Sequence, residues 1–158
     1  MLIEDLFAGQ SVDLDKMIAH LERVAHKEGL PLAMRTKTYN SRMAQELGKW
    51  AETQGKGATF HNAIFRAYFV DGKNIGKIPE LVDVAKSVGL SDADAKKILE
   101  TGAFKEAVEL DWARAKALCV TAVPTFVVNE RILVGAQPYE AIEQLMKVSN
   151  VKKRLFHS

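Results

Sequence analysis

Thr121-Ala122-Val123-Pro124-Thr125-Phe126-Val127-Val128 is a loop that closes on an X-Pro bond and runs directly into β-branched residues. Proline can stand just ahead of a strand because the first strand residue need not donate to the ladder. Thr125 to Val128 then has the composition of a short buried strand. A two-residue turn at Asn129-Glu130 follows, and after it a second apolar run, Ile132-Leu133-Val134. Gly135-Ala136-Gln137 leads into a helix beginning Pro138-Tyr139-Glu140, with proline where a missing N–H costs least. The order is therefore proline, strand, turn, strand, glycine, helix: a ββα unit. An X-Pro bond in a folded protein is cis only about 5–6% of the time, so the dipeptide alone favours an ordinary trans loop.

Working outward, 158 residues that are 47% hydrophobic allow one domain with a substantial core and room for an inserted lobe. A net charge of +2 is too near neutral for a general nucleic-acid binder. Lys147, Lys152, Lys153 and Arg154 form the only basic cluster, which reads as a solvated tail. No run of about 18 apolar residues exists to span a membrane. Met1 to Leu6 carries Glu4 and Asp5 where a secretion signal would carry lysines, so a soluble, cytoplasmic protein is expected. The single cysteine, Cys119, rules out an internal disulfide and a Cys-x-x-Cys site within this sequence.

Upstream of the loop the periodicity is helical throughout. Gly9 and Gln10 lead into a first helix capped by Asp13, with Leu14, Met17, Ile18, Leu21, Val24 and Ala25 on one face. Gly29 and Pro31 stop it. Arg35 to Tyr39 is a polar connection. Asn40 or Ser41 caps a second helix, whose Met43, Leu47, Trp50 and Ala51 share a face and which Gly55 closes. A third helix, about 58 to 70, is apolar nearly all round and is expected to be buried between neighbours. A fourth runs from Ile78-Pro79 to Gly89. Ser91 caps a fifth, and a sixth runs from Phe104 to Leu118. Only the last two apolar runs read as strands. A lone two-stranded hairpin is marginal in water, and its open edge invites pairing, so something is expected to cover Thr125–Val128.

The run from Thr36 through Asn40-Ser41-Arg42-Met43-Ala44 to Trp50-Ala51 resembles the DsbA-like thioredoxin superfamily, and within it the FrnE-like branch of thiol–disulfide oxidoreductases. Phe65-Arg66-Ala67-Tyr68-Phe69, Gly72-Lys73-Asn74-Ile75, Val123-Pro124-Thr125-Phe126 and Gly135-Ala136-Gln137-Pro138 carry the same likeness. It implies an α/β, mostly helical fold. Residues 1–118 would be a helical insertion lobe, 119–150 the closing ββα half of a thioredoxin-like fold, and 151–158 a basic tail. The branch is also similar to 2-hydroxychromene-2-carboxylate isomerases and kappa-class glutathione transferases. Members open with a strand, a Cys-x-x-Cys helix and a second strand. Ile3 to Gly9 here resembles the segment just after that strand, so the chain looks truncated relative to the family.

The resemblance implies a cis Val123-Pro124 bond and a substrate-binding loop of Val123, Pro124 and Thr125. There Val123 offers its backbone N–H and C=O to an extended peptide or to glutathione. Strand addition of this kind needs an exposed edge. No residue of the chain is expected to be catalytic, because exchange needs an attacking thiolate and a second, resolving thiol. Cys119 is expected to be a buried or half-buried structural residue, where the family usually has a helix-ending glycine. Asn40 and Ser41 read as helix caps, and Trp50 and Trp112 as packing anchors. His20 and His26 lie on different helix faces, and His61 and His157 have no companions, so no metal is expected. No cofactor is implied beyond glutathione as substrate or reductant. The readings are thus three. The first is a DsbA-family thiol–disulfide oxidoreductase without its own dithiol. The second is a non-catalytic homodimeric binding protein, paired through the Thr125–Val128 edge. The third is a glutathione-dependent isomerase or transferase.

Overall fold

A computed structural model describes residues 1–8 and 13–152. Gly9, Gln10 and the basic-tail residues 153–158, His157 included, lie outside the described residues. The fold divides into two units, Met1–Leu110 and Asp111–Ser158.

The first unit is helical. A single turn, α1 (Ile3–Leu6), is too short to leave a period in the sequence. It follows residues that pair antiparallel with the 36–38 segment, where Ile3 N–H donates to Thr36 C=O at 2.9 Å and Thr38 N–H to Met1 C=O at 3.0 Å. Next comes α2 (Leu14–Lys27), capped by Asp13, whose carboxylate accepts from the Lys16 amide at 3.1 Å. The Lys16 ammonium lies 2.7 Å from the same carboxylate. That side-chain bond, helped by the amide bond, holds the Asp13 carboxyl below its ordinary value.

The core belongs to α3 (Arg42–Thr53), α4 (Gly57–Phe69), α5 (Ile78–Ser87) and α6 (Asp92–Thr101). Helix α3 packs on α4 and α6, and α5 packs on α4 and α6. Leu47, Ala51, Phe60, Leu81, Ala85 and Ala95 are sealed from solvent in this cluster. Each apolar stripe recurs at three- and four-residue spacing, so packing four such stripes together removes them all from water. Ser91 Oγ caps α6 by accepting from the Asp94 amide at 3.2 Å. Arg42 links α3 to the start of α7 (Lys105–Ala117), its Nη2 donating to Glu109 and its Nε to the buried Glu46 at 3.3 Å. The hydrogen bond to Glu109 is the main cause raising the Arg42 guanidinium above its ordinary value.

The second unit contains β1 (Thr125–Val128), β2 (Arg131–Val134) and α8 (Tyr139–Val148). The strands are antiparallel, with Thr125 opposite Val134 and Val128 opposite Arg131 around the Asn129-Glu130 turn. Among the described residues this sheet has two strands.

Four expectations need correction. Helix α4 is not buried all round: Phe60 and Ala67 face the core, whereas Phe65, on the other flank, is 60% exposed. An apolar composition sets which residues can be buried, not that all are. Trp112 is exposed instead of anchoring a core. Pro138 is the N-cap of α8, one residue ahead of its first turn. Cys119 is exposed, not buried. Its backbone is left-handed, φ 55°, because it ends α7 in the conformation that reverses the chain. That puts the side chain at a corner outside the helix.

Candidate functional site

The loop between α7 and β1 is built by its two ends. At the first, Cys119 N–H donates to Lys116 C=O and Val120 N–H to Ala115 C=O, both at 3.0 Å. These two bonds with a left-handed residue between them are a Schellman closure, which turns the chain out of the helix and satisfies its last carbonyls. At the second, Thr125 Oγ1 donates to Ala122 C=O at 2.6 Å, a short side-chain turn that folds residues 122–125 on themselves. The Val123-Pro124 peptide bond is cis. Pro124 C=O accepts from the Gly135 amide at 2.8 Å, extending the hairpin register one step past β1. Gln137 Nε2 in turn donates to Val134 C=O at 2.8 Å. Asn129, in the hairpin turn, donates through Nδ2 to Ser149 C=O at 3.0 Å and ties the turn to the end of α8.

Held this way, Val123 stands out from the surface, 88% exposed. Its N–H and C=O make no hydrogen bond among the described residues. An exposed backbone donor and acceptor at the head of an open strand edge can accept an extended segment by antiparallel pairing. Val123, Pro124 and Thr125 thus form one contiguous element.

Other residues singled out in the sequence have structural roles here. Ser41 is the N-cap of α3, with no side-chain capping bond of its own, and Asn40 Oδ1, one residue before it, accepts from the Arg42 amide at 2.9 Å. Ser41 Oγ accepts from Gln45 Nε2 at 3.0 Å. Trp50 is buried in the first unit. His61 lies against Gly48 and lines a cavity of about 430 Å³ with Tyr39, Phe60, Tyr68 and Ile75. Among the described residues no three His, Cys, Asp or Glu side chains gather to hold a metal ion. Nor is any helix among them long and apolar enough to cross a membrane. Sequence reasoning missed Arg35, whose guanidinium lies over the rings of Tyr68 at 4.2 Å and Phe69 at 4.8 Å. These residues are more than thirty positions apart, and no local pattern announces the stack.

With this geometry in hand, comparison with known proteins is specific. The profile of the DSBA-like thioredoxin domain matches residues 4–147. The chain is 30% identical over 105 residues to the uncharacterised protein YwbO of Bacillus subtilis (strain 168), a match covering 66% of this chain and 52% of that protein. It therefore spans about half the length of that curated relative. A probable DsbA oxidoreductase from Streptomyces coelicolor is similar in fold, with a TM-score of 0.83 and 23% identity over 100% of this chain and 71% of the other. A 2-hydroxychromene-2-carboxylate isomerase is similar with a TM-score of 0.71 and 22% identity, over 87% of this chain and 66% of the other.

Proposed function

This chain belongs to the DSBA-like thioredoxin domain family, and from that membership we propose that it supplies the docking half of a thiol–disulfide exchange site of the FrnE-like kind. Val123 is the receiving group, pairing its N–H and C=O with the backbone of a disulfide-bearing peptide or of glutathione. Pro124 and Thr125 complete the loop. The observation that carries this reading is the exposure of Val123, with both backbone groups unpaired, beside the edge of β1. Exchange consumes one attacking thiolate and one resolving thiol. With a single cysteine in the sequence, the dithiol in this reading comes from outside these 158 residues, and the chain by itself docks without catalysing.

The test is a titration of the isotope-labelled chain with oxidised glutathione, followed by amide NMR. Shifts concentrated at Val123 and Thr125, and lost in Val123→Pro, are the expected result. Shifts that bypass the loop would reject it.

A second reading is favoured by the sheet itself. Two four-residue strands are marginal on their own, and the open edge of β1 could pair with β1 of a second copy. Light scattering across a concentration series tests this: a monomer at every concentration would sink it.

A further inference from the structure

The first unit carries another recess, away from the proline loop in sequence and different in chemistry. Helix α2 and residues 30–35 face each other across a half-open cavity of about 430 Å³. That is within the roughly 300–1,000 Å³ of small-molecule sites. Met17, Ile18, Leu21 and Val24 line it from α2, with Leu32 and Met34 opposite. Met17 and Met34, unbranched and flexible, let this lining adapt to an aliphatic guest. Leu21, Val24 and Met34 remain exposed, and α2 has no buried residue, so its apolar face is incompletely covered among the described residues.

One cation lies among the lining residues, Arg35. Its guanidinium is stacked on Tyr68 and Phe69, and its Nη1 is buried without a hydrogen-bond partner. Burying a guanidinium nitrogen with no acceptor is unfavourable. Stacking also fixes the guanidinium plane, so an acceptor meets donors already oriented. Glu22 is the carboxylate of the lining. It is exposed and makes no ion pair with Arg35 among the described residues.

We propose that this cavity binds an apolar small-molecule carboxylate. Its aliphatic body would lie along α2, and its carboxylate would accept from the Arg35 guanidinium. An anion is favoured over a neutral lipid because a charge-assisted bond to a guanidinium is about twice as strong as a neutral one.

The experiment compares octanoate with octanol on the whole chain, by calorimetry and by the Arg35 Nε–H resonance. Saturable octanoate binding about tenfold tighter than octanol binding, with the Arg35 resonance shifting in step, is expected. Arg35→Met keeps the apolar volume and is expected to abolish that preference. Equal affinity for the two probes, or octanoate binding that leaves the Arg35 resonance unmoved, would overturn the proposal. If Arg35→Met loses helical circular dichroism, the octanoate–octanol comparison on the unaltered chain decides alone. Val123→Pro is expected to leave octanoate binding unchanged, which separates this site from the docking loop.

Discussion

The amide of Gly135 donates to the carbonyl of Pro124 across 2.8 Å, so the residue after the second strand holds the residue before the first. The loop is thereby anchored on the hairpin side, and the unpaired backbone groups of Val123 stand immediately beyond that anchor. Loop and hairpin are one construction.

Gly135→Ala tests that anchor. Gly135 has φ +91°, and a Cβ there would come 3.4 Å from the movable amide of Gln137. The cost is therefore mainly backbone conformation, about 1–2 kcal/mol for an L-residue forced to positive φ. Denaturant unfolding should show that loss, and the amide at position 135 should exchange faster. Unchanged stability would mean that the hairpin end tolerates other backbone geometries.

Cys119→Gly is expected to stabilise the protein by about 1 kcal/mol, because glycine adopts the left-handed closing position without the Cβ penalty. The comparison is within the same chain. Gly89 ends α5 with an identical pair of bonds, to Lys86 at 3.0 Å and from Leu90 to Ala85 at 3.1 Å. In the native protein the exposed Cys119 should also react with a thiol reagent without denaturant. A thiol masked until unfolding would contradict its placement.

Two phenylalanines on α4 separate core from surface. Phe60, fully buried, should cost about 3–5 kcal/mol when cut to alanine. Phe65→Ala should change stability by only about 0.5 kcal/mol in either direction. Comparable losses at both positions would mean that Phe65 is covered in solution.

Acid should loosen the start of α2. The Asp13 carboxyl is held below its unfolded value by Lys16, so its contribution is complete above about pH 4, the unfolded carboxyl range. That contribution fades as pH falls through the lower folded value. A carbon-detected titration of Asp13 should give a midpoint below that of a free aspartate, moving toward it in high salt. Asp13→Asn keeps a capping oxygen and should remove the pH dependence.

Much of this architecture was legible because it is written locally. Asp13, Ser91 and the positive-φ glycines at 29, 55 and 89 mark helix ends within a turn of where they fall. The Asn129-Glu130 turn fixes the hairpin register. The proline loop was readable as a candidate because its Val123-Pro124-Thr125-Phe126 run carries the family resemblance. Its exposure was not, since a loop has no period from which burial can be inferred. Cys119 misled because cysteine is usually buried, whereas its position here follows from helix-closing geometry. The cavity at Arg35 was invisible for a different reason. It depends on residues of α2, α4 and the segment between α2 and α3, which meet only after folding.

Successive packing of α3 on α4, α4 on α5 and α5 on α6, closed by α6 returning to α3, has a kinetic consequence. Contacts between chain neighbours need only short loop closures, and bundles of this kind fold in roughly microseconds to milliseconds. A ribosome adds about 5–20 residues each second. All four helices precede Pro124 in the chain, so the bundle can fold while the last third is still being translated. The proline loop is then made behind helices that already have their final form.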